Sequence, residues 1–438
     1  MFNKISKDLN TFATPLIVNN LFSVVIATIM SSIIGNISPT AIVSAGVIDG
    51  LMYTLLGVLG VGTLSFNIYA SRIRESNPNE FKDYFKSILI LNGFIGLIFV
   101  IIIFVGSHLL LKNIYLFSGN QLYTGTVYAQ IVSLKVFFNM LIFAMSNQIK
   151  VNKKTNEILK IGIISSIFQV AVSLFLVFNV FSEENKILGV GIAATLSMFL
   201  SVLSYIFILR KDIRALKNVK SSKKKFLFIK SIPLFGQELL EGSVMEVLLT
   251  VFLSRLGIIY ASYLVCLNVI NISLTPMFMY CNAIVVLVGE RLGNNLKKEL
   301  ELIPRVSLIL IICIYICSSA IIYIFRHSIL SFFTNDSTVL LSAESILLFV
   351  IVVSIARPFF EVYKYCLQSF GSEKQVLIIT FSVNLCVLLV MLILNYSGIL
   401  NIHSALLTVA SNYLTLFYLF RKLYRFNINK LELAVQVI

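Results

Sequence analysis

RKDIRALKNVKSSKKKFLFIK, residues 210–230, divides the chain in two. Long apolar stretches lie on both sides of it, and nowhere else is Lys and Arg so dense. The chain of 438 residues is 58% hydrophobic and 13% charged, with a mean hydropathy of +0.94. A soluble chain carries about 25% charged residues, so this apolar surface needs lipid as its solvent. About twenty apolar residues span a bilayer as a helix. Working outward from 210–230, six such spans precede it (12–36, 43–70, 84–110, 123–147, 157–181, 187–209) and six follow it (231–255, 261–289, 305–326, 342–368, 374–397, 401–420). The expected fold is an all-α polytopic membrane protein. It has twelve transmembrane helices in two pseudo-symmetric six-helix bundles, 1–210 and 231–438, joined by a basic linker, 211–230.

The distribution of basic residues orients these spans. With the N-terminus inside, the inner loops hold 29 of the 35 Lys and Arg, the outer loops four (Lys112, Lys186, Arg255, Arg326) and the spans two (Lys135, Arg357). Cytoplasmic loops are enriched in Lys and Arg, so both termini are expected in the cytoplasm and the membrane is expected to be the plasma (cytoplasmic) membrane. The net charge of +15 is thereby explained without nucleic acid. Residues 1–15 run into the first span with no cleavage site, so no signal peptide is expected. The six cysteines sit in apolar segments without CxxC or Cys/His spacing, and read as core residues. His108, His327 and His403 are scattered and suggest no metal site. No HExxH, GxGD or GxSxG appears in a helical context, and no P-loop is present, which argues against an enzyme and against nucleotide-driven transport.

The halves repeat each other. IIGNISPTAIVSAG (33–46) resembles FLSRLGIIYASYLV (252–265), and IYASRIR (68–74) resembles LVGERLG (287–293), both at an offset of 219 residues. Pro15 and Pro233 open the first and seventh spans in similar contexts. Parallel repeats of this kind occur in secondary transporters, whose substrates bind near the midplane at the repeat interface.

Several stretches together resemble the multidrug and toxic compound extrusion (MATE) family, within the wider multidrug/oligosaccharidyl-lipid/polysaccharide flippase superfamily. IPLFGQELLEGSVMEVL is similar to the family's seventh helix, with acids eight and thirteen positions after the proline: Pro233, Glu241 and Glu246. AIVVLVGERLGNNLKKE (283–299) resembles the family's eighth-helix ending, and LGVGIAAT (188–195) its sixth-helix pattern. The resemblance implies a monomeric efflux antiporter that exports a small organic compound against H⁺ or Na⁺, with no other cofactor. The chain also departs from the family. Met30 and Ser173 stand where many members carry aspartates, Arg357 stands where helix ten often carries an acid, and helix two ends ASRIRES. Ion coupling is therefore expected to rest on the C-terminal half.

Charge inside a membrane is costly, about 2.5–3.5 kcal/mol at a helix centre on translocon scales, and marks ion or substrate paths. The seventh span holds Glu238, Glu241 and Glu246 within about 140° of arc, Glu238 being the shallowest. In the tenth, VSIARPFFEVYKY (353–365), Arg357 and Glu361 are spaced to pair. Pro358 between them removes a backbone hydrogen bond and frees the Ser354 carbonyl. Arg357 is expected to alternate between Glu361 and a glutamate of the seventh span. Lys135 lies in mid-span with Asn139 one turn on, the repeat counterpart of Arg357; Asp49 is its nearest acid by sequence. Tyr280, Asn268 and Asn271 are further candidates for a cavity lining. Burial penalises the charged form of a carboxylate, so a carboxylate on a transport path can hold a proton in one state and a cation in another. The alternative is a flippase or exporter of a lipid-linked saccharide or other anionic compound, which Lys135 and Arg357 would suit.

Overall fold

The computed structural model describes all residues except 36, 38, 183–184, 242–245, 335 and 437–438; for 35, 39–42, 246–248 and 432–436 it describes the backbone alone. The described chain is helical: α1 (Phe2–Gly35), α2 (Pro39–Gly62), α3 (Leu64–Ile73), α4 (Pro78–Asn113), α5 (Gly119–Val151), α6 (Thr155–Asn179), α7 (Lys186–Ile208), α8 (Arg210–Ala215), α9 (Lys224–Glu238), α10 (Glu246–Leu253), α11 (Ile258–Gly293), α12 (Lys297–Ile324), α13 (Arg326–Ser331), α14 (Ser337–Ser354), α15 (Ala356–Ser369), α16 (Glu373–Tyr396) and α17 (Ile402–Gln436).

Eleven stretches among the described residues are long and apolar enough to cross a membrane. They coincide with eleven of the twelve expected spans. The remaining one is the seventh, which contains α9, a π-helical turn at 239–241 and α10, with residues 242–245 outside the described ones. The apolar faces behave as lipid demands. On α4, Phe94, Leu97, Ile101, Val105 and Leu109 recur every three or four residues and are all exposed. That spacing is one helix face. The opposite face buries Ile88, Asn92, Gly96 and Val100. Gly96 is needed there, because a Cβ would come within 3.0 Å of the Phe137 Cα on α5. Small residues at such crossings let backbones approach closely.

Two helix breaks fall beside identifiable polar groups. Helix stops at Thr63 between α2 and α3, and the buried Asn92 amide donates there to the Thr63 hydroxyl (3.1 Å) and to the Met140 carbonyl (2.9 Å). The break between α14 and α15 falls at Ile355, next to the Ser354 carbonyl that Pro358 leaves without its helical donor.

The chain forms two compact units, one of Met1–Thr14 with Gly236–Ile438, the other of Pro15–Phe235. In the first unit α11 is the central helix, with 72% of its most apolar stretch buried. Residues 1–14 are fastened to it by charge. Arg291, near the end of α11, is 5% exposed and meets three carboxylates: Asp8 at 2.9 Å, Glu290 at 2.7 Å and Glu299 at 2.5 Å. Lys4 adds a pair to Glu299 (3.6 Å), and the Tyr280 hydroxyl donates to the Asn10 side chain (2.6 Å). Burying an arginine is tolerable when its donors are matched by acceptors in this way.

The second unit contains the whole of the basic linker. Lys86 of α4 donates to the carbonyls of Leu216 and Val219, and Lys223 pairs with Glu80 (2.7 Å). The backbone and hydroxyl of Ser222 both donate to the Asp83 carboxylate. The Lys223 ammonium is held above its ordinary value, chiefly by the hydrogen bond to Glu80. Residues 216–223 are thus docked on the start of α4.

Candidate functional site

The acids of the seventh span converge with the basic residues of the tenth inside the first unit. Glu241 lies on the π-helical turn that follows α9. Such turns are rare and frequent at functional sites, because they redirect side chains without ending the helix. The Glu241 carboxylate receives the Gln237 amide on one oxygen (2.5 Å) and the Lys364 ammonium of α15 on the other (2.5 Å). Gln237 also donates to the Thr380 hydroxyl of α16 (2.8 Å). Lys364 reaches Glu361 as well, one turn back on its own helix (2.7 Å), and Arg357 lies 3.8 Å from the other Glu361 oxygen.

The result is a row of alternating charge: Glu241, Lys364, Glu361, Arg357. Its centre is dry, with the side chains of Lys364 and Glu361 only 6% and 3% exposed. Its ends are wetter, at 19% for Glu241 and 32% for Arg357. Aromatic rings wall it: Phe278 under Arg357 at 5.2 Å, and Phe360 and Tyr365 beside Lys364, both at 5.2 Å. Tyr413 stacks on Phe360 at 4.9 Å. Two carboxylates and two cations balance, which is how charge survives where water is scarce.

Lys364 corrects the sequence reading. The basic tally places it among the inner-loop residues; it is in fact buried on α15 and is the partner of Glu241. The pairing expected for Arg357 with a seventh-span glutamate is taken in this structure by Lys364, and Arg357 faces Glu361. The sequence signal was available: Lys364 stands three residues after Glu361 and seven after Arg357, on the same helix face. Glu238 ends α9 half-buried, within reach of the charges of Lys364, Glu361 and Arg357. The side chain of Glu246 lies outside the described residues. On α11, Asn268 and Asn271 are exposed, whereas Tyr280 is buried against Asn10.

The second unit holds a smaller group. Asp49 of α2 accepts the Tyr128 hydroxyl (2.9 Å) and pairs with Lys135 at 3.4 Å, both residues of α5. Asn139 donates its amide to the Lys135 carbonyl (2.8 Å). Met30 and Ser173, where the resemblance places aspartates, are buried. Among the described residues no group of His, Cys, Asp and Glu is arranged to hold a metal ion.

Residues 233–397, which contain all four members of the charged row, match the family model MatE. No curated protein matches the chain by sequence. Solved structures match it nearly end to end. A multidrug resistance MATE family transporter of the MOP superfamily, in an outward-facing conformation, has 14% identity and a TM-score of 0.86, over 98% of this chain and 96% of that one. A MOP superfamily transporter from Pyrococcus furiosus, whose reversed binding-pocket polarity is described as suggesting a different function, has 14% identity and a TM-score of 0.85, over 98% and 97%. A MATE structure in a straight conformation has 13% identity and a TM-score of 0.85, over 98% and 97%. At such identities the likeness is one of fold. Residues 233–397 thus match the MatE model, and the chain has, along its length, the fold of solved multidrug and toxic compound extrusion transporters.

Proposed function

We propose that the protein is a secondary active efflux transporter that exchanges a small organic compound, cationic or drug-like, for H⁺ or Na⁺ by alternating access. Its place is the plasma membrane, with both termini in the cytoplasm. The observation that carries this reading is the buried row Glu241–Lys364–Glu361–Arg357, set on a π-helical turn beside a proline-broken helix. A balanced row has two arrangements of similar energy. With Glu241 ionised, Lys364 is shared between Glu241 and Glu361. With Glu241 protonated, Lys364 turns wholly to Glu361. A cation arriving at Glu241 competes with both the proton and Lys364. Charge pairs at about 4 Å and an effective dielectric of 20 are worth about 4 kcal/mol, enough to move a two-state equilibrium about a thousandfold. Proton and cation thereby compete for one carboxylate, which is the linkage an antiporter needs. The test is reconstitution into liposomes with an imposed pH or Na⁺ gradient and a panel of cationic and anionic dyes. Gradient-driven accumulation of cations is expected; gradient-insensitive movement of every dye refutes the reading.

A second reading has its own observation. Lys364, Arg357 and Lys135 put three cations inside spans, and a solved neighbour of the same fold is described as having a binding pocket of reversed polarity. On that reading the substrate is an anion, such as a lipid-linked saccharide. The same dye panel separates the two by the charge of what is moved.

A further inference from the structure

A cavity of about 270 Å³ opens on the first unit between the start of α12, the middle of α15 and the last third of α17. Arg305, Arg425, Tyr363, Tyr424, Asn429 and Glu301 line it. Neither Arg305 nor Arg425 has an ion pair or hydrogen bond among the described residues. Arg421, one helical turn before Arg425, has a buried Nε with no acceptor. Tyr363 is 6% exposed, and its hydroxyl has no partner among the described residues. The Tyr424 hydroxyl, by contrast, is used, donating to the Leu300 carbonyl (2.7 Å). The cavity therefore gathers unmatched donors. Only Glu301 opposes them, and it is exposed.

Forked guanidinium donors and a phenolic hydroxyl suit a tetrahedral oxyanion. The surroundings favour one carried by a lipid. Arg305 and Arg425 stand near the ends of two membrane-crossing helices, α12 and α17, at the end of each where basic residues collect. One turn deeper on the Arg305 face, Ile309 is 50% exposed; beside Arg425, Phe426 is 63% exposed. Acyl chains have apolar surface to lie on directly beside the basic cavity. Basic pockets among membrane helices on the cytoplasmic side are suited to anionic headgroups. The volume is below the usual range for drug-sized ligands, about 300–1,000 Å³.

We propose that this cavity binds the phosphate group of an anionic phospholipid of the inner leaflet. The inference rests on the membrane-spanning reading and does not depend on what the protein exports. The test is native mass spectrometry of the full-length purified protein incubated with equal amounts of phosphatidylglycerol and phosphatidylcholine. Wild type is expected to retain phosphatidylglycerol about tenfold over phosphatidylcholine, and the Arg305→Gln/Arg425→Gln protein to lose that preference. Tyr363→Phe, which removes one oxygen from a packed ring, should lower the preference several-fold with the melting temperature in plain detergent unchanged. If the double variant misfolds, Tyr363→Phe alone decides the matter. An unchanged preference in the variants overturns the proposal. So does a melting-temperature rise in lipid-free micelles with millimolar inorganic phosphate that equals the rise given by the lipid, since the ligand is then a free anion.

Discussion

Glu241→Gln separates coupling from architecture more sharply than any other change to the row. The replacement keeps the shape of the side chain, and its carbonyl can still accept the Gln237 amide that now lies 2.5 Å from Glu241. What it removes is one of the two anions holding Lys364. The ammonium retains Glu361 at 2.7 Å, so no buried charge is orphaned. The loss of stability should therefore be that of one charged hydrogen bond, about 1.5–3 kcal/mol. Lys364→Met is the contrasting change. It leaves the nearly dry Glu361 and Glu241 facing each other, with only the half-exposed Arg357 at 3.8 Å. Orphaning a buried charge costs about 3–5 kcal/mol. Thermal melts of the purified proteins should thus rank wild type above Glu241→Gln and Glu241→Gln above Lys364→Met. The double variant Glu241→Gln/Lys364→Met should fall short of the summed losses, because the two side chains touch. In liposomes with an imposed gradient, Glu241→Gln should abolish uphill export of the dye that wild type moves. Uphill export at the wild-type rate by a well-folded Glu241→Gln protein refutes the reasoning: the carboxylate would then be structural.

Lys135→Ala should leave export of a cationic dye intact or improved, whereas collapse of anionic export in that variant favours the second reading; the dye panel reads both. Glu238→Gln should change transport little, since Glu238 lies near the row without an ion pair among the described residues, and initial rates in the same liposomes check this. Gly96→Val should destabilise the second unit by about 1–3 kcal/mol through overpacking, because its Cβ meets the Phe137 backbone; a melt of the variant measures it. Asp336 accepts from the Thr338 hydroxyl and from the Thr338 and Val339 amides at the start of α14, which holds its carboxyl below the ordinary carboxylate value. Its contribution is present above the unfolded-state value, about 3.9, and is lost as pH falls through the depressed folded one. The protection factors of amides 338–340, exchange rates corrected for their intrinsic pH dependence, should fall over that acid range and stay level across the neutral range.

Eleven of the twelve expected spans are long apolar helices among the described residues, legible because apolar content adds residue by residue and needs no partner to be read. Helix ends were not. α1 begins at Phe2, ten residues before the apolar run, because Asp8 and Asn10 find partners on α11 that no local pattern announces. α17 continues past residue 420 for a similar reason, with Tyr424 tied to Leu300 across 124 residues. At the site, Arg357 with Glu361 and Lys135 with Asp49 follow from spacing and from a shortage of alternatives. Lys364 escaped because a lysine near a span end reads as snorkelling; only its pairing with Glu241, on the π-helical turn, shows that it points inward. The proline at 358 predicted a break, and the helix does stop three residues before it.

The fastening of Asp8 to Arg291 has a consequence for biosynthesis. Asp8 leaves the ribosome 283 residues ahead of the arginine that receives it. At about 5–20 residues per second, its partner follows roughly 15–60 s later. Throughout that interval the whole second unit is emerging and inserting, while the opening fourteen residues wait without the groups they are destined to meet. The first unit is consequently discontinuous in translation: its earliest and latest parts are made at opposite ends of the schedule. Loop closure over so long a separation is among the slower contacts a chain makes. Charge, which attracts over distance and needs little shape to begin with, is a suitable means of ending the wait.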